Sequence, residues 1–206
     1  MAQAGTETST LAPTLRLVVD VGDSPALPWV RDYFDALNDL CAFACEIAAW
    51  DAMPKSDPGR RAYEWSRQFH GAVSASRYFG VQRIRLASPL EVVLTAASSK
   101  AAPVAYALTA MFLVERAVKL LMEWQRHRKE IEEREPTEHS FLHSLGAGIA
   151  ATGIVADLTG AEEGREMPDE FDSRRGHNAL KTLALVPILY VEMTAPPREP
   201  ERPSSD

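Results

Sequence analysis

The stretch "VQRIRLASPLEVVLTA", residues 81–96, decides the architecture, because here the apolar residues leave helical spacing and begin to alternate. Gln82, Ile84 and Leu86 alternate with Val81, Arg83 and Arg85, which predicts a strand with one buried and one wet face. Pro89 cannot donate to a ladder, so it marks a turn, bulge or edge before a second strand. Upstream, "LRLVVDV" followed by "GDSP" reads as a strand over residues 15–21 and a turn. After Pro28, the residues Val30, Phe34, Leu37, Cys41, Ala44 and Ala48 fall on one face of a helix that ends before "MPKSDPG". Ala62, Trp65, Phe69, Ala72 and Ser76 repeat at helical spacing in a second helix, a pattern weakened by Gly71 and Gly80.

Downstream, a long helix runs from about residue 102 to 135, where Pro136 stops it. A glycine-rich helical piece over residues 141–158, an acidic loop and a last strand in "LVPILYVEMTA" follow. The expected order is strand, helix, helix, strand, strand, helix, helix, strand. It matches the split βαβ, ferredoxin-like arrangement: an α+β fold with a four-stranded antiparallel sheet, helices on one face and extra helices inserted. The expected organisation is a single domain over residues 14–195, with residues 136–176 as a helical insertion plus acidic loop. Residues 1–13 read as a disordered leader without the charged start and apolar run of a secretory signal. Residues 196–206, rich in proline and mixed charge, read as a disordered tail.

A net charge of -7 argues against general phosphate-backbone binding. The only cysteines, Cys41 and Cys45, stand one helical turn apart on an apolar stripe, where a disulfide would strain the helix; they read as core residues of a cytoplasmic, reducing setting. The stretch "ALTAMFLVERAVKLLMEW", residues 107–124, raises a membrane reading for the helix over 101–124. The uncharged run covers only residues 101–114, short of the roughly 20 residues a span needs. Glu115 and Lys119 at i and i+4 mark a solvated face beyond it.

Several constellations are candidates for chemistry. In "HSFLH", His139 and His143 stand one turn apart beside Glu138, a spacing that can hold two metal ligands, with His127 and His177 as further donors if the fold gathers them. The full H-E-x-x-H pattern is absent. "GAGIAA", residues 146–151, carries the letters of a dinucleotide fingerprint but follows a helix start instead of a strand. Its glycines and those around it, Gly146, Gly148 and Gly153 with Ala150, fit a helix pressed close against a neighbour. No cofactor is expected. No serine, cysteine or carboxylate pair forms a nucleophile or acid–base motif, so the sequence leans away from an enzyme.

Charge is segregated. Residues 55–85 hold seven basic and two acidic residues among aromatics, which makes Arg60, Arg61 and Arg67 the candidate nucleic-acid contacts. The helical spacing of Trp65 and Phe69 favours a core face instead, and nucleic acid is not the expected partner. Residues 157–172 hold seven acids and one arginine, a segment that could attract the basic one.

On the long helix Ala107, Met111, Val114, Val118 and Leu121 step by four, three, four and three, a short heptad seam. Leu108, Phe112 and Leu120 make the other flank apolar too. The seam therefore needs a lid, either the glycine-rich helix or a second copy, and a homodimer through these five residues is the expectation. In "RLASPLEVVLTA" followed by an alanine-rich helix, over about residues 81–133, the chain resembles uncharacterised small bacterial proteins that share a strand, Ser-Pro-Leu-Glu, strand, helix core. That resemblance implies no activity. The expected function is a soluble protein–protein interaction or adaptor module, part of a bacterial signalling or defence assembly. The alternatives are a small-molecule or metal-binding protein or enzyme with a pocket between sheet and helices, using His70, His139 or His143, and a membrane-associated protein through the helix over 101–124.

Overall fold

The computed structural model describes residues 13–23, 25–69, 79–87, 89–96, 104–134, 140–160, 167–168 and 171–194. In β1 (Thr14–Val19), Leu15, Leu17 and Val19 are buried while Arg16 and Val18 point the other way, the period of two that the sequence carries. The chain then turns at Gly22, whose φ of +70° suits glycine and whose N–H donates to the Asp20 carboxylate at 3.0 Å. Pro28 sits in the first turn of α1 (Leu27–Ala52), where a missing N–H costs nothing. Of its apolar stripe, Leu37, Cys41, Ala44 and Ala48 are buried and Val30 and Phe34 half-buried, while from Leu40 to Trp50 every residue is buried, Glu46 included. The second half of α1 is thus enclosed on all sides, with α2 (Pro58–Phe69), α3 (Val104–Arg134) and α5 (Ser173–Leu183) packed against it. Cys41 and Cys45 are free thiols within that core, and burial pushes the Cys41 thiol up to about 12.

β2 (Phe79–Arg85), β3 (Leu90–Ala96) and β4 (Ile188–Thr194) complete a four-stranded antiparallel sheet in the order β2-β3-β1-β4. The fold is α+β. One expectation about β2 is corrected. The register shifts between Val81 and Arg83, so Val81 opposes Leu94 and Ile84 opposes Val92. The extra residue, Gln82, therefore brings Val81 and Ile84 to the same face, and the plain alternation of Gln82, Ile84 and Leu86 against Val81, Arg83 and Arg85 does not hold. Nor is one face buried: Val81 through Arg85 are all exposed.

The heptad seam of α3 is covered within the chain. Ala107, Met111, Val114, Val118 and Leu121 are each 1% exposed or less, beneath α1, α4 (Ser140–Thr159), β3 and β4. The lid that the seam requires is thus mostly the enclosed half of α1, a partner that no local spacing identifies. The five residues have no surface to give a second copy, so the interface assigned to them is corrected. α4 packs through Ala147 and Ala151, both buried, whereas Gly148 and Gly153 face open space and contribute no close approach.

α5 has no counterpart in the expected order of elements. Asp172 caps it by accepting the Arg174 N–H at 3.0 Å, and Gly176, Ala179, Leu180 and Leu183 bury one face. A Cβ at Gly176 would lie 2.7 Å from the Phe43 ring, so only glycine lets α5 approach α1 this closely. The same pair of helices is bridged by Arg175, which donates to Glu46 at 2.5 Å.

Candidate interaction edge

The two edges of the sheet differ in what reaches them. At β4, side chains of α3 take up strand amides: Glu115 accepts the Met193 N–H at 3.2 Å and Gln125 accepts the Ile188 N–H at 3.0 Å. Gln125 also donates to the Ala184 and Val186 carbonyls at 3.1 and 2.6 Å, clamping the turn that leads into β4. Buried polar backbone is thereby satisfied and the edge is blunted. At β2, among the described residues, no side chain caps a strand amide. β2 instead presents an apolar ledge, with Val81 at 55%, Ile84 at 45% and Leu86 at 72% exposed. Beside the ledge lies a small cavity of about 130 Å³ lined by Phe34, Leu37, Cys41, Phe79 and Leu94 among others.

On the opposite face the register aligns two rows across the sheet. Arg83 opposes Val93, which opposes Arg16, which opposes Glu192; Arg85 opposes Glu91, which opposes Val18, which opposes Tyr190. Glu91 sits between two guanidiniums, accepting from Arg83 at 2.8 Å and from Arg16 at 3.0 Å. Burial pushes its carboxyl up, but Arg16 and Arg83 outweigh this and hold it below its ordinary value. Arg16 also lies 5.6 Å from the Tyr190 ring centre, and the Tyr190 hydroxyl donates to Glu192 at 2.5 Å. The face is thus preorganised, with one carboxylate fixing two cations.

The other candidate residues fall elsewhere. Arg60 pairs with Glu64 at 2.7 Å, and Arg61 donates to the Trp50 carbonyl while its guanidinium lies 3.6 Å from the Trp50 ring centre. Arg67 is exposed, whereas Trp65 and Phe69 are buried, as their spacing expects; the Trp65 indole N–H donates to the Glu46 carbonyl at 3.1 Å. These two rings cannot stack on bases while so placed. The acidic segment meets α3 through Asp157 and Arg116 at 2.7 Å, and among the described residues no ion pair joins it to the basic segment. His139 lies outside the described residues, as do the side chain of His143 and all of His70. His177 shares a hydrogen bond with Thr152 at 3.2 Å, and His127 faces Glu130 at 3.8 Å. Among the described residues no group of three side chains is placed to hold a metal ion. No described helix is long and apolar enough to cross a membrane.

The exposed apolar ledge on β2 is the feature that sequence reasoning missed. Its signal was present in Val81, Ile84 and Leu86, but the bulge that sets their faces is a property of the pairing with β3. No family model matches this chain, and neither does any curated protein or solved structure.

Proposed function

We propose that the chain is a protein-interaction module, an adaptor that takes up an extended segment of a partner along β2 by strand addition. The observation that carries this reading is the asymmetry of the edges: β4 is capped by α3 side chains, while β2 combines edge position with exposed Val81, Ile84 and Leu86. The reading takes the topology as the split βαβ, ferredoxin-like one, with helices on one face. Its support is that β1 and β2 run in the same sense with β3 between them, joined by the α1–α2 crossover.

The chemistry of β2 specifies the segment. Val81 and Ile84 lie on one face and Arg83 and Arg85 on the other, so an added strand places alternate apolar side chains on the ledge and acidic ones beside the arginines. Main-chain hydrogen bonds supply affinity and the two sets of side chains supply selectivity. The test is fluorescence anisotropy with labelled peptides of alternating leucine with glutamate and of alternating leucine with lysine. The acidic peptide binds and weakens with salt; the basic one does not. The double variant Ile84→Lys/Arg85→Glu loses the acidic peptide while keeping its circular dichroism. Equal binding of both peptides, or unchanged binding by the variant, contradicts the reading. A dimer in light scattering that this variant converts to a monomer would assign the edge to a second copy.

A further inference from the structure

A second site, independent of the β2 edge, lies where α3 passes the turn that leads from α5 into β4. It is a cleft of about 440 Å³, within the range of small-molecule pockets. Met122, Gln125, Arg126 and Lys129 fall at i, i+3, i+4 and i+7 of α3 and so share the helix face that lines it. The turn supplies the rest of the lining, with Leu185, Pro187 and Ile188. Gln125 ties the two together, its side-chain amide bonded to the backbone of Ala184, Val186 and Ile188 at 3.1, 2.6 and 3.0 Å. A ligand therefore meets walls that are already fixed, and binding does not bear the cost of ordering them.

Charge selects the sign of the ligand. Acids outnumber bases by 29 to 22 in the chain, yet the charged side chains that line the cleft are Arg126, Arg128 and Lys129, with no carboxylate of a described residue among them. Arg128 lies over the Trp124 ring, 5.7 Å from its centre. Arg126 and Lys129 are exposed, and among the described residues neither is held in an ion pair. The neighbouring acid Glu130 faces His127 at 3.8 Å instead. Three cations gathered on one wall without a counter-charge favour an anion between them.

The remaining lining selects the body that carries this anion. It is aliphatic: Met122, Ala184, Leu185, Pro187 and Ile188. Leu185 leaves 50% of its surface in water, a cost that an apolar occupant would remove. No described aromatic ring lines the cleft, so it lacks the platform on which a nucleotide base stacks. An inorganic anion would use the cations and leave Leu185 wet, whereas an uncharged hydrocarbon would cover Leu185 and leave the cations unused. A carboxylate at the end of a methylene chain satisfies both.

We propose that this cleft binds a medium-chain aliphatic carboxylate, its headgroup held by Arg126 and Lys129 and its chain laid against Leu185, Pro187 and Ile188. Calorimetric titration of the full chain with octanoate, decanoate and decylammonium, each below its micelle concentration, tests this. Decanoate binds saturably at one site and raises the melting temperature. Octanoate, two methylenes shorter, binds at least about fourfold more weakly, and decylammonium does not bind. Arg126→Gln/Lys129→Gln weakens decanoate binding at least about tenfold. Arg60→Gln/Arg67→Gln, which removes the same charge from α2, leaves it unchanged. Leu185→Ser, at a position already half in water, narrows the gap between decanoate and octanoate while the chain stays folded. Sedimentation with phosphatidylglycerol vesicles separates a free carboxylate from a membrane surface, and the chain stays in the supernatant. Absence of saturable decanoate binding, equal affinity for octanoate or decylammonium, equal weakening by the α2 control, or capture by vesicles in place of decanoate binding would overturn the assignment.

Discussion

β4 and β2 are both edge strands of one sheet, yet the chain treats them in opposite ways. β4 is tied to the helical layer by Glu115 and Gln125, and its preceding turn is held at two carbonyls. α3 packs on β3 and β4, while Val81 and Ile84 of β2, and Leu86 just after it, stay exposed. An unprotected strand edge is a liability for association, and proteins ordinarily blunt it. Under the proposed strand addition, the edge blunted by part-buried Glu115 and Gln125 serves stability and the bare edge serves interaction. Substitutions on the β4 side should therefore cost folding free energy, and substitutions on β2 should cost binding alone.

The largest effect belongs to the contact that seats α5, the element leading into β4. Arg175→Met leaves Glu46 buried without its cation and should lower stability by about 3 kcal/mol at neutral pH, measured by urea denaturation. The same pair sets a pH dependence. Burial raises Glu46 from 4.5 to about 6, the Arg175 charge and hydrogen bond opposing it. Because the folded chain holds this proton more tightly than the unfolded one, the stabilisation is complete below pH 4.5 and is lost as pH rises through about 6. Its size is on the order of 2 kcal/mol, and Glu46→Gln should remove that segment of the stability profile.

Next in size, Gln125→Ala removes three hydrogen bonds at the β4 turn and should cost about 2 kcal/mol, again by denaturation. Glu115→Ala frees a single β4 amide and gives up an ion pair with Lys119, for about 1 kcal/mol. Ile84→Lys on β2 should change stability by less than about 0.5 kcal/mol, since the side chain is already exposed. A cost above 1 kcal/mol there would mean that the ledge belongs to the core.

Much of this contrast is local and some of it is not. The alternation in Leu15, Leu17 and Val19, Pro28 at the head of α1 and the break at Pro89 are short-range signals, and they carried the α+β class and the four strands. α5 was hidden by its charge: "SRRGHNALKTL" follows an acidic run, and its apolar face is only Gly176, Ala179, Leu180 and Leu183, although Asp172 was a legible cap. The seam on α3 was read correctly as apolar and wrongly as an interface, because the helix that covers it lies more than fifty residues away and spacing says nothing about which surface arrives. Gln125 gave no signal at all, one amide in a charged helical stretch whose three partners all lie near β4. For the edge, the ledge residues were visible but their common face depends on a bulge. Asp32, Asp35 and Asp39 of α1 are legible at helical spacing, whereas Asn178 and Thr182 come to line one cleft with them only through the packing of α5 on α1.

Amide hydrogen exchange, resolved by residue, compares the two edges in one experiment. In the free protein the outward amides of β2 should exchange rapidly, while those of Ile188 and Met193 on β4 are protected by Gln125 and Glu115. Addition of the alternating leucine–glutamate peptide should slow exchange along residues 79–85 and leave β4 unchanged. Protection of the outward β2 amides already present in the free monomer, or peptide-induced protection confined to another part of the chain, would contradict the assignment of β2 as the open edge.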